Sequence, residues 1–268
     1  MTQETQPAIA WEPVSPRGVA AFARASFERL FVVQSIFALM AAAAVTWLLA
    51  AKLFPTVDAA IDNLPATSVI ERGKLSWPDD TPKLLAEGHF LAFSVDLQHS
   101  GNLRSPAHFQ FEFGERSLCI YSLLGVTEVP YPPDQSFYFD RANLEPLWGA
   151  WAPEILGLAA IGTFFGLLII WAILATLYSF PVWLFAFYAD RDLSFFQGWK
   201  LAGATLMPGA LIMSLAIVMY GLAVFDLVQF AFAAVMHLVI GWLYLIISPL
   251  LIQRAIPAGN NNPFADKD

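Results

Sequence analysis

The stretch FVVQSIFALMAAAAVTWLLAA, residues 31–51, carries no charged side chain from end to end. A helix rises about 1.5 Å per residue and a hydrocarbon core about 30 Å thick needs about 20 of them, so this run is long enough to span a bilayer. Residues 52–152 then carry proline, glycine and charge, and residues 155–251 return to almost unbroken apolar sequence. That order predicts an α+β membrane protein. Four transmembrane helices, near 30–51, 155–178, 201–223 and 228–251, are expected, with a small, mainly antiparallel β domain between the first and second.

Composition agrees. The 268 residues are 57% hydrophobic and 13% charged, against about 25% charged in soluble domains. The net charge is −8, and most of it lies in 52–152, where Lys52, Arg72, Lys74, Lys83, Arg104, Arg116 and Arg141 face thirteen acidic residues between Asp58 and Glu145. An acidic domain repels polyanions, so no nucleic-acid partner is expected. Cys119 is the single cysteine, so no intrachain disulfide can staple the domain. No Asn-x-Ser/Thr sequon occurs. Both absences fit a bacterial inner-membrane protein. The first apolar run lacks an Ala-x-Ala-like cleavage site and is expected to be an uncleaved anchor.

Orientation follows from Lys and Arg in short flanks. Arg17, Arg24 and Arg29 precede the first span, Arg191 and Lys200 separate the second from the third, and Arg254 and Lys267 follow the fourth. Both termini, 1–29 and 252–268, are therefore expected in the cytoplasm, with 52–152 outside. Within 17–29 an apolar face opposes the three arginines, as in an interfacial helix or an extension of the first span.

In the outer segment, Ala107–Phe113 alternates with period two, Gly114-Glu115 marks a turn and Arg116–Tyr121 continues. This predicts a hairpin with Phe109, Phe111 and Phe113 on its buried face. Further strands are expected at 68–71, 74–77, 90–96 and 137–139, with a short helix at 56–63. The run Leu64-Pro65 … Ile70-Glu71-Arg72-Gly73-Lys74-Leu75, set after a first span and followed by a strand ending in Val95-Asp96, resembles the bacterial membrane family DUF1189. That resemblance implies the same layout of one helix, an outer domain and a helical bundle. The three C-terminal spans are more loosely similar to Yip1-type bundles. Neither resemblance implies site residues.

Among candidate chemistries, His89, His99 and His108 with Asp96 and Glu112 suggest a metal site, but they match none of the zinc spacings and surface histidines are the simpler reading. No metal or cofactor is expected. Asp96, His99 and Ser100 are hydrolase residue types, yet triads are defined by geometry. No motif assigns an enzyme. The fourth span places Asp226, Ala233, His237, Gly241, Tyr244 and Ser248 on one helical stripe. Intramembrane ionisable groups are functional candidates, and the competing reading is a His237 that only bridges helices. The third span carries Gly203, Ala210 and Gly221 on a matching stripe, expected to face the fourth, and Gly162-x-x-x-Gly166 offers a close-packing face within the bundle or in an oligomer.

Two functions fit. The first is a membrane-anchored binding or scaffolding protein whose outer domain meets a protein or envelope partner. The alternative is a component of a transport or channel system using the stripe of the fourth span.

Overall fold

The computed structural model describes residues 12–79 and 81–255; Lys267 and most of the expected cytoplasmic segment 252–268 lie outside the described residues. Four helical stretches are long and apolar enough to cross a membrane: Phe27–Asp62, Arg141–Tyr188, Phe195–Gly221 and Leu227–Leu250. Together with two small sheets they make the chain α+β.

Each stretch departs from its expected bounds for a local reason. Helix α1 (Pro16–Ala21) is capped by Ser15, whose hydroxyl accepts the Gly18 N–H at 3.0 Å, and it ends in a 3-10 turn, Phe22–Arg24. The amphipathic helix expected over 17–29 is thus split at the extended Ala25, and Arg29 belongs to the next helix. The apolar face of α1 meets protein, since Val19, Phe22 and Ala23 are buried. Helix α2 (Phe27–Leu48) passes through a π turn, Leu49–Leu53, into α3 (Phe54–Asp62), merging the first span with the short helix expected at 56–63. Pro55, which has no N–H for the carbonyl of residue 51, follows that widened turn.

Helix α4 (Arg141–Tyr188) has 48 residues, about 72 Å, and contains the expected span in its middle. Asp140 caps it by accepting the Asn143 N–H at 2.9 Å. Pro181 removes one backbone bond without ending the helix. The third stretch is two helices, α5 (Phe195–Ala204) and α6 (Leu206–Gly221), interrupted at Thr205. Ser194 and Gln197 form a capping box at the start of α5, and Pro208 cannot supply an N–H to the Ala204 carbonyl. Helix α7 (Leu227–Leu250) follows.

The chain divides into two compact units. The first, Met1–Ala42, Gly162–Ala216 and Gln229–Asp268, is helical over its described residues. Leu30, Val33, Trp171, Ala175, Leu201 and Met207 are among its buried core residues. Several polar groups inside it are paired: Gln34 Nε2 donates to the Gly203 carbonyl at 3.1 Å and Lys200 Nζ to the Ala25 carbonyl at 2.6 Å. Asp192 N–H bonds the Gln253 carbonyl at 3.1 Å, and Arg191 Nη1 the Ile252 carbonyl at 2.8 Å.

The expected pairing of the glycine stripes is corrected here. A Cβ on Gly203 would stand 3.2 Å from Gln34 Nε2 and 3.6 Å from the Ala175 Cβ, so that glycine meets α2 and α4. The third and fourth stretches approach instead at Gly209, where a Cβ would lie 2.7 Å from the His237 carbonyl oxygen, and at Gly241, 3.9 Å from that of Thr205. The break at Thr205 is the reason, because residues before and after it do not share one helical face. A Cβ on Gly162 or Gly166 would meet nothing within 4 Å.

The second unit, Ala43–Ile161 with Ile217–Val228, holds both sheets. Strands β1 (Val69–Glu71) and β2 (Lys74–Ser76) turn at Arg72-Gly73, both at positive φ (50° and 72°), the geometry of a type I′ hairpin. The second sheet has the order β3 (Lys83–Glu87), β4 (Leu91–Val95), β5 (Phe109–Phe113), β6 (Ser117–Ser122), β7 (Gly125–Pro130). Strand β8 (Phe137–Tyr138) joins the first sheet beside β1. Pairing is antiparallel except between β4 and β5, which run parallel. Ala60, Leu64, Ile70, Leu75, Leu85 and Val95 form the core. The start of α4 is tied to α3 by Arg141–Asp62 at 2.9 Å and by Trp148 Nε1 donating to Asp58 Oδ1 at 2.6 Å. Gly221 belongs to this unit, and a Cβ there would stand 2.5 Å from the Trp47 ring rather than against the fourth span.

The hairpin is present, with Gln110 opposite Tyr121 and Glu112 opposite Cys119. Its expected burial is reversed: Gln110 is 2% and Glu112 0% exposed, whereas Phe109 is 45% exposed and Phe111 and Phe113 are half-buried. The alternation assigns the two faces, but a covering loop determines which one is shielded.

These close approaches give a paired test. Gly209→Val should lower stability by about 1–3 kcal/mol, the usual cost of overpacking, while Gly162→Val should cost less than about 0.5 kcal/mol. Thermal melting of both variants in a non-ionic detergent checks the contrast.

Candidate functional site

Parallel strands need a crossover of about a dozen residues, and residues 96–108 supply the one between β4 and β5. They lie on the sheet face that carries Ser94, Gln110, Glu112, Cys119 and Tyr121. Gln110 Nε2 donates to Ser94 Oγ at 2.9 Å and to the Leu103 carbonyl at 2.6 Å, while its Oε1 accepts the Ser105 N–H at 3.1 Å. Glu112 Oε1 lies 2.8 Å from His99 Nδ1 and accepts the Tyr121 hydroxyl at 3.1 Å. Arg104 sets its guanidinium 3.6 Å from the centre of the Tyr121 ring.

At the start of the crossover, Asp96 accepts the Ser100 hydroxyl at 2.6 Å and the N–H groups of Gln98 and Gly101 at 3.2 and 3.3 Å. Burial alone would raise this carboxyl. The Ser100 hydroxyl and the N–H groups of Gln98, Ser100 and Gly101 outweigh it and hold the group below the ordinary carboxylate value.

His99 sits in the left-handed region at φ 51° and fits beside Gly114, where a Cβ would come within 2.2 Å of its Nε2. Cys119 Sγ is 3.8 Å from the same Nε2. Thiol, imidazole and carboxylate therefore stand in the order of nucleophile, base and orienter. The electrostatics run the other way. Burial, then Glu128 and Glu112, push the Cys119 thiol up, and the side chain is buried. A thiol held protonated and shielded is inert, so this line-up reads as a support beneath Tyr121. The hydrolase types of the sequence do not combine, since His99 turns to Glu112 and Ser100 to Asp96. Among the described residues no three His, Cys, Asp or Glu side chains converge on a point that could hold a metal ion.

Beside this network opens a groove of about 500 Å³, walled by Arg104, His108, Tyr121, Leu123, Val126 and Leu227. His108 Nδ1 is 2.5 Å from the Tyr220 hydroxyl, and their rings stack at 5.4 Å. Burial lowers the His108 pKa, His89 lowers it further and Asp226 opposes them. The imidazole is therefore neutral near pH 7, which leaves Arg104 as the fixed positive charge of the groove. Of the predicted stripe, Asp226 is the residue whose charge is felt by His108.

No family model, curated protein or solved structure matches the chain. The site is read from its own geometry.

The rest of the stripe stays dispersed. His237 Nδ1 is 2.5 Å from the Ala234 carbonyl of its own helix, Tyr244 donates to the Val14 carbonyl, and Ser248 Oγ is buried without a hydrogen-bond partner among the described residues. Ala210, on the third-span stripe, packs against the helical core, and its carbonyl accepts the Ser214 hydroxyl at 2.8 Å. The sequence reading missed Arg104, Gln110 and Tyr121. The signal for Gln110 was present, as a polar residue between two phenylalanines of a strand; a loop arginine such as Arg104 carries none.

The Asp96 cluster sets a pH test. A carboxyl with a depressed folded-state pKa stabilises the fold above its unfolded value, and that stability is lost as pH falls through the folded pKa. Ser100→Ala should cost about 1.5–3 kcal/mol at pH 7, the range for a hydrogen bond to a charged group. The difference from wild type should shrink as the pH drops below about 4, as measured by denaturant unfolding across pH.

Proposed function

We propose that this chain is a membrane-anchored binding protein that takes a small ligand in the groove beside Tyr121. Both termini lie in the cytoplasm and residues 52–152 outside, in the layout that the DUF1189 resemblance implies. The observation that carries the reading is the groove: concave, of the volume usual for small-molecule sites (about 300–1,000 Å³), and floored by side chains already locked by hydrogen bonds. A rigid floor lowers the ordering cost of binding. Four membrane-length helices support the anchor, and the basic short flanks support the orientation. For the transport alternative, a connected polar path through the fourth span would be the expected support. His237 bonds the Ala234 carbonyl of its own helix, which supplies neither such a path nor a bridge between helices.

Two measurements test this. Alkaline phosphatase fused after Gly101 should be active and a fusion after Lys267 inactive; the reverse pattern would overturn the orientation.

For binding, the full chain in non-ionic detergent is melted with a panel of carboxylates, phosphates, sugars and acyl compounds. A ligand at about a hundred times its Kd adds about 2.7 kcal/mol of stability. Compounds that raise the melting temperature of wild type should not raise that of Ala107→Trp, which fills the groove. Equal shifts in both proteins would refute the groove as the site.

A further inference from the structure

We infer that the ligand of this groove is an anionic amphiphile: one carboxylate or phosphate on an apolar chain, its head at Arg104 and its chain along Leu123, Val126 and Leu227. The inference rests on the groove being a binding site and adds the class of the ligand.

Charge is the first argument. Some basic side chains of this acidic segment are neutralised by carboxylates: Lys74 meets Glu115 at 2.7 Å, and Arg141 meets Asp62 at 2.9 Å and Glu145 at 3.1 Å. Arg104 forms no ion pair among the described residues; its guanidinium carbon sits 3.6 Å over the centre of the Tyr121 ring. A guanidinium has five N–H donors, so contact with one tyrosine leaves others whose fork matches a planar carboxylate or a phosphate. No Asp or Glu lines the groove. The acidity of the surrounding domain is screened beyond about 8 Å at physiological ionic strength; of the nearer carboxylates, Glu112 is buried beneath Tyr121 and Asp226 acts on His108, which leaves Arg104 as the charged side chain on the groove wall. The acidity of the domain still disfavours highly charged polyanions, which selects a single anionic head.

The second argument is the scarcity of free hydrogen-bonding groups. Both donors and the acceptor of the Gln110 amide are used inside the protein, and the Tyr121 proton goes to Glu112. A sugar or other polyol would find few partners.

The third is apolar surface. Residues 123 and 124 form the two-residue turn between β6 and β7, a place normally filled by Gly, Asn or Asp. Here both are leucines, 68% and 98% exposed, followed by Val126 at 60%. Leu227, across the groove, is the first residue of a membrane-length helix. Water against this surface is unfavourable, and an acyl chain would cover part of it.

The test uses the full chain in phosphatidylcholine vesicles and a diazirine-bearing dodecanoic acid as photoprobe, with labelled residues located by mass spectrometry. Labelling is expected within 121–126 or at Leu227, competed by dodecanoate and dodecyl phosphate but not by dodecanol or acetate. Arg104→Gln should reduce labelling by about tenfold or more, as expected for loss of a charge-assisted contact, and Arg104→Lys should retain part of it. Val126→Asp, which leaves Arg104 in place, should also lose labelling, and unchanged melting temperatures show that each variant is folded. Adding phosphatidylglycerol to the vesicles separates the sources: competition identifies a bilayer lipid as occupant, and undiminished labelling a free amphiphile. Competition by dodecanol equal to that by dodecanoate, or labelling indifferent to Arg104, would overturn the inference. Competition by acetate equal to that by dodecanoate would also overturn it, yet leave the groove a binding site. Labelling confined to the apolar helices would overturn it too, with the Ala107→Trp melting comparison still deciding whether the groove binds any ligand.

Discussion

The parallel pairing of β4 with β5 is the constraint on which the rest of the second unit depends. Two antiparallel strands need only a tight turn, but a parallel pair obliges the chain to return across one face of the sheet. Residues 96–108 make that return without a helix of their own, so their backbone and side chains must be satisfied locally. Gln110 and Glu112 meet that need from the sheet, and Asp96 from the loop. The face that a hydrophobic pattern would leave to solvent is thereby enclosed, and the aromatic face is only half-covered.

Enclosing a carboxylate is costly unless hydrogen bonds replace its water. Glu112 is fully buried and gains His99 and Tyr121 as partners on Oε1, while its Oε2 is buried without a hydrogen-bond partner among the described residues. That need fixes Tyr121, and Tyr121 in turn gives Arg104 a surface on which to lie. Strain is accepted for it, since His99 adopts positive φ and Gly114 forgoes a side chain to admit the ring. A rigid floor and a positioned cation are thus consequences of one buried acid. The thiol of Cys119, drawn into the same line, is pushed up by burial first and then by Glu128 and Glu112.

In the helical unit the governing constraint is close approach. Gln34 reaches the Gly203 carbonyl because no side chain intervenes, and α6 meets the His237 backbone at Gly209. Prolines adjust the helices without stopping them, except near Pro208, where the break at Thr205 rotates the glycines onto different neighbours. Small residues thus act as contact points between particular helix pairs, not as one continuous seam.

Much of the architecture was legible in the sequence because it depends on local quantities. Apolar run length set the four membrane-length helices, period-two alternation set the 109–122 hairpin, and Arg72-Gly73 set the β1–β2 turn. The chain alone also determined which residues share a strand face or a helix stripe. Which face is buried, which stripe meets which helix, and which polar groups converge were decided only by the tertiary structure. Those outcomes depend on contacts distant in sequence: His99 with Glu112 across a crossover, Arg104 with Tyr121, Gly203 with Gln34. A periodic pattern records that a side chain points one way; only the packed chain supplies what stands opposite it.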